Sequence, residues 1–169
     1  MAMSNDDVIS VLNDLIETSE DGIKGFRECA EHVQNPEAKT FFNNRVALIE
    51  RGLEELRAEV RRFGGDPEHR GSVGGALHRA WIDLRAAVTS KDDHALLAEA
   101  ERGEDVAVKN YKDALNKDLP PEVRAMVERQ YRGVLENHDR VRALRDTISS
   151  TRSATARPRE VDRGAPPPP

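Results

Sequence analysis

The sequence predicts an all-α protein: a bundle of four long amphipathic helices, with a short extra helix in the link between the second and third. Three observations predict it. Apolar residues recur at three- and four-residue spacing over four long stretches, the signature of one buried helix face. Charged residues make up 34% of the chain and aromatic residues only 4%, a mix that suits long helices with solvated outer faces better than a sheet. The stretches are separated by Asn, Asp, Gly and Pro, the residues that start and stop helices.

Helix 1 is predicted over residues 5–33. Val8, Leu12, Leu15, Ser19, Ile23 and Phe26 share its inner face, and Ser4, Asn5 and Asp6 offer N-caps. Asn35-Pro36 stops the chain and restarts it, because Asn caps well and Pro suits the first helical position. Helix 2 follows over 36–63, with Ala38, Phe42, Ile49, Leu53, Leu56 and Val60 on one stripe and Arg45 inside that stripe. Gly64-Gly65-Asp66-Pro67 ends it. The link then holds a shorter helix over 74–89, with Leu77, Trp81, Leu84 and Val88 in phase and His78 beside them, read as a packed or surface histidine.

Helix 3, over 93–116, starts at the caps in Ser90-Lys91-Asp92-Asp93. Its stripe is Leu97, Ala100, Ala107, Val108, Tyr111 and Leu115; Glu104 lies in the middle and Glu101 one turn earlier on the flank. A carboxylate on an apolar helix face is expensive unless something pairs with it. After Leu119-Pro120-Pro121, helix 4 is predicted over 121–148, with Val123, Val127, Gln130, Val134, His138 and Val141 in phase and Asn137 and Tyr131 at the edges. The bundle domain is accordingly 1–149. Residues 150–169 form a Pro/Arg-rich tail with no periodic apolar face, predicted to be disordered.

The net charge of −5 divides into +2 for residues 151–169, from four Arg against Glu160 and Asp162, and hence −7 for the rest. An acidic body with dispersed Arg argues against a nucleic-acid surface. No apolar run reaches the length of a membrane span and the N-terminus, MAMSNDD, is polar, so the sequence predicts a cytoplasmic protein without a membrane segment. The single Cys29 excludes an internal disulfide and reads as a residue at the edge of the core. It has no identifiable base, and the chain has neither a Gly-x-Ser-x-Gly motif nor a phosphate loop.

The long link between helices 2 and 3 decides topology. A crossing segment returns the chain to the other end of the bundle and makes helices 2 and 3 parallel. Counted at 1.5 Å per residue, Arg45 and Glu104 then lie level, about ten and eleven residues from one shared end. Counted from the turn between helices 3 and 4, Glu101 lies within about one turn of His138, and Glu104 falls between Gln130 and Val134. Arg45, Glu101, Glu104, Gln130 and His138 are therefore predicted to form one polar cluster in the core. Gly103 and Gly133 lie at similar distances from that turn and are predicted to let helices 3 and 4 approach closely.

On the segments LNDLIETSEDGIKGFRECAEHV, GGALHRAW, AERGED, LPPEVRAMVERQY and NHDRVRALRD, the chain resembles a family of small bacterial ferritin-like four-helix-bundle proteins long labelled a domain of unknown function. The resemblance covers about residues 6–147 and implies a ferritin-like bundle. Iron-oxidising proteins of that fold use a Glu from each of two helices and a Glu-x-x-His from each of the other two. This chain has no Glu-x-x-His; Glu101-x-x-Glu104 is the nearest analogue, and helix 2 offers Arg45, whose guanidinium repels a metal and can neutralise Glu104. Two readings of function stand. In the first, the protein is non-catalytic and acts through self-association, as a homo-oligomer, or by binding a partner, in a stress-related role. In the second, it binds iron, manganese or zinc, or does redox chemistry, with Glu101, Glu104 and His138 as ligands.

Overall fold

The computed structural model describes residues 2–68, 79, 82–86 and 92–155. Helix α1 spans Asn5–His32, α2 Pro36–Arg62, α3 Asp93–Leu115 and α4 Pro121–Thr155. There is no strand among the described residues, and no helix there is long and apolar enough to cross a membrane.

The predicted caps form. Ser4 Oγ accepts from the Asp7 amide at 3.1 Å, Asn35 Oδ1 from Ala38 at 3.0 Å, and Asp92 Oδ1 from His94 at 3.0 Å. Each satisfies an amide that the helix itself leaves unpaired. At the end of α2 the chain turns through Gly64, whose φ of +84° favours glycine, and the Gly65 amide donates to Val60 O at 2.9 Å. At Gly65 the requirement is space: a Cβ there would stand 2.7 Å from Ile9 Cγ2.

The helices pack as α1 on α2, α3 on α4, α1 on α3 and α2 on α4. The pairs α2–α3 and α1–α4 make no such contact among the described residues and are the diagonals of the bundle. That is the ferritin-like arrangement. Its register is held by Asp93, whose two carboxylate oxygens accept from the Gln34 and Asn35 amides at 2.9 and 2.8 Å. The start of α3 is thereby fixed to the α1–α2 turn, as the level count requires. At the opposite end, Asn13 Nδ2 donates to Asp66 O at 3.2 Å and ties the loop after α2 to α1.

The core runs the length of the bundle. Leu12, Leu15, Phe42, Leu56, Leu97 and Val127 are almost wholly buried, each contributing about 1.5–3 kcal/mol of transfer free energy. Phe26 stacks on Phe42 with ring centroids 5.7 Å apart. Cys29 is fully buried, so it belongs to the core and not to its edge.

One expectation changes: α4 runs on to Thr155, so the predicted boundary at residue 150 falls inside a helix. These last turns are exposed and lack an apolar stripe. The hydroxyls of Ser150, Thr151 and Thr155 each donate to the carbonyl four residues back, and Arg152 Nη1 reaches Asp92 Oδ1 at 3.4 Å. Residues 156–169 lie outside the described residues. Of the predicted link helix, residues 79 and 82–86 are helical with Leu84 buried, as expected, and Leu77, His78, Trp81 and Val88 lie outside the described residues.

Candidate functional site

Midway along the bundle, the four long helices and Leu84 enclose a partly open cavity of about 100 Å³. Small residues leave the room: Gly22 on α1, Gly52 on α2, and Ala100, Gly103 and Ala107 on α3 all line it. A Cβ on Gly103 would meet nothing within 4 Å, and one on Gly133 would come no nearer than 3.9 Å to Arg45 Nη1. The predicted close approach of α3 and α4 at these glycines is therefore not found; Gly103 instead forms part of the cavity wall.

Most of the wall is apolar, with Phe26, Ile49, Leu84 and Val134 among its residues. Glu104, Glu99, Asp21, Arg45, Tyr111, Gln130, Ser19 and Thr18 supply the polar part, Glu99 being paired with Arg102 at 2.6 Å. Glu104 is only 2% exposed. Arg45 Nε stands 3.9 Å from Glu104 Oε1, close enough for an ion pair and too far for a hydrogen bond. The oxygen Oε1 accepts a hydrogen bond from Asn137 Nδ2. Arg45 Nε and Glu104 Oε2 are both buried without a hydrogen-bond partner. Burial raises the Glu104 carboxyl from 4.5 to about 7, against the opposing pull of Arg45, Asn137 and His138. The desolvation of a wholly buried carboxylate thus outweighs one guanidinium held at ion-pair distance.

The remaining hydroxyls and the thiol are already committed. Tyr111 donates its hydroxyl hydrogen to Gln130 Oε1 at 2.8 Å, while Gln130 Nε2 donates to Gly52 O at 3.1 Å. Burial pushes the Tyr111 phenol up to about 12. Ser19 Oγ donates to Leu15 O at 2.8 Å. Burial likewise pushes up the pKa of the Cys29 thiol, which keeps it protonated.

Of the predicted cluster, the structure brings Arg45, Glu104 and Gln130 to the cavity and sets Glu101 and His138, near each other as counted, apart from them. Glu101 accepts from Arg142 Nε at 3.0 Å and from Arg145 Nη1. His138 Nε2 turns to Asp105 Oδ1 at 2.6 Å and is 4.0 Å from Glu101 Oε1. Glu101, Glu104 and His138 do not converge on one point. Among the described residues, the only group of three or more His, Cys, Asp or Glu side chains close enough to share an ion is Glu28, Glu31 and His32, at the outer end of α1. The physical reason is the facing of α4: Asn137, predicted at the edge, points inward at 5% exposure and donates to Glu104, which the residue count set between Gln130 and Val134. Sequence reasoning also missed Arg142 and Arg145. Their spacing, one and two turns beyond His138, places both opposite Glu101 and was the available signal.

A crossover bundle with a carboxylate, an arginine and a small cavity at its middle defines a ferritin-like protein whose interior carboxylates are engaged by arginine and amide side chains. The chain belongs to the family described as a domain of unknown function, DUF2383, which matches residues 7–117. A solved two-domain protein from Anabaena variabilis, containing DJ-1/ThiJ/PfpI-like and ferritin-like domains, is similar in fold, with a TM-score of 0.73 at 17% sequence identity. The match covers 98% of this chain and 42% of that one, so the chain spans less than half the length of this neighbour. No curated protein matches the chain.

Proposed function

We propose that the protein is a non-catalytic ferritin-like bundle that works by binding, and that the bound molecule occupies the interior cavity. One observation carries this reading: Glu104, a residue lining a mostly apolar cavity, holds in Oε2 a buried acceptor without a hydrogen-bond partner. Leaving such an atom unpaired costs about 1–3 kcal/mol, and a ligand donor that reaches it recovers part of that cost. Apolar walls with a few convergent polar groups are the usual form of a small-molecule site. Two further facts support binding without chemistry. Ser19 gives its proton to a backbone carbonyl, and Cys29 is held as a thiol, so neither is an activated nucleophile.

The test is a titration of the protein with small apolar and amphipathic molecules, followed through backbone amide resonances. Shifts confined to residues around the cavity, and abolished by Gly103→Leu, are the expected result. An absence of shifts, or shifts that survive Gly103→Leu, counts against the cavity as the site.

A second reading, metal binding, requires Glu101, Glu104 and His138 to move together, since His138 Nε2 is hydrogen-bonded to Asp105 at 2.6 Å and stands 4.0 Å from Glu101. Ferrous iron, manganese and zinc are to be added separately to chelator-stripped protein while melting is followed. A stabilisation lost in His138→Ala favours the metal over the cavity reading. Self-association draws on the exposed Leu48 and Leu135, on the neighbouring helices α2 and α4. Sedimentation equilibrium of Leu48→Asp and Leu135→Asp measures whether they hold copies together.

A further inference from the structure

We propose that the cavity takes a small, electrically neutral ligand with an apolar body and one head group that both donates and accepts a hydrogen bond, of which a primary carboxamide is the best fit. This deepens the cavity-binding reading and rests on it. Arg45 Nε–H is a buried donor and Glu104 Oε2 a buried acceptor, both without a hydrogen-bond partner, on residues that line the same cavity from α2 and α3. A carboxamide satisfies both at once: its carbonyl oxygen accepts from Nε–H and its N–H donates to Oε2.

Charge then selects against the ionic analogues. Arg45 and the ionised Glu104 already cancel each other at 3.9 Å, and the two other carboxylates on the wall are engaged as well, Glu99 by Arg102 at 2.6 Å and Asp21 within its own surroundings. A bound carboxylate or ammonium adds a net charge to a narrow cavity whose wall is mostly apolar, where an unbalanced charge is costly. The other hydroxyls do not compete for the head group's acceptor, because Tyr111 and Ser19 have given their hydrogens to Gln130 and to Leu15 O. Phe26, Ile49, Leu84 and Val134 face the ligand's apolar body. The volume of about 100 Å³ sets the size. An engineered cavity of roughly 150 Å³ holds benzene, so a head group on a short branched chain is the right scale.

The experiment compares four molecules of nearly one shape on the full chain by amide-resonance titration: isobutyramide, 3-methylbutan-2-one, isobutyrate and isobutylamine. It is run at pH 8, above the value of about 7 that burial gives Glu104, so the carboxylate is ionised. Isobutyramide is expected to bind about tenfold more tightly than the ketone, which accepts but does not donate, and more tightly than either ion. Glu104→Met is expected to erase the preference for amide over ketone, and the comparison on the unaltered protein stands even where that variant fails to fold. Ketone, isobutyrate or isobutylamine binding as tightly as the amide overturns the assignment of the head group while leaving the cavity as a binding site. Binding of none of the four overturns both.

Discussion

Removing Arg45 is the sharpest perturbation of the interior, and its cost follows from the titration of Glu104. A buried ion pair that loses one partner typically costs about 3–5 kcal/mol, since a charge is left stranded. Here the stranded group has an escape, because Glu104 is a carboxyl already raised to about 7 with Arg45 present. In Arg45→Met it takes up a proton and becomes neutral. The ionisation part of the coupling is therefore limited to the free energy the folded protein gains by ionising Glu104, which grows with pH above 7. It comes to about 1.4 kcal/mol at pH 8 and about 0.1 kcal/mol at pH 6. The assay is a double-mutant cycle of Arg45→Met and Glu104→Gln, with urea unfolding at both pH values. Glutamine keeps the shape of the acid and can still meet Asn137. Coupling should rise by about 1 kcal/mol from pH 6 to pH 8. Equal coupling at the two values, or more at pH 6, refutes the claim that burial dominates Glu104. The single variant carries its own sign. The folded pKa lies above the unfolded one, so Glu104 contributes stability that is full below about 4.5 and is lost as pH rises through about 7. Glu104→Gln should therefore gain on the parent protein between pH 5 and pH 8, by up to about 3 kcal/mol.

Three further outcomes follow from the packing. Gly103→Ala should stabilise by about 0.5–1 kcal/mol in urea, because its Cβ meets nothing within 4 Å and alanine is the better helix former; a loss of stability shows that a methyl group does not fit at this wall. Asp93→Ala should cost about 1–2 kcal/mol, because the Gln34 and Asn35 amides lose their shared acceptor, and Asp93→Glu should recover little of it. Truncation after Ser150 should move the melting temperature by no more than about a degree or two, because residues 151–155 are all exposed; a larger fall points to docking of the C-terminal segment on the bundle.

The sequence by itself determined the four long helices, their caps and their order in the bundle. Periodicity, Pro36, Gly64 and the Asp92-Asp93 start are local signals, and helix formation is a local event that neighbours in the chain decide. Counting residues along rods of fixed rise also set Arg45 level with Glu104, and the two stand at ion-pair distance. Only the tertiary structure decided which side chain reaches Glu104 from α4. Asn137 and His138 are both in phase with Val134 and Val141, one at i+3 and the other at i+4 from Val134, so the pattern alone does not choose between them. The rotation of the helix against its neighbours does: it turns Asn137 inward and leaves His138 beside Asp105. The cavity was equally hidden. It arises where Gly22, Gly52 and Gly103, far apart in the chain and on three different helices, come to one level. Volume left unfilled between helices is a sum over all of them, and no single stripe of the sequence carries it.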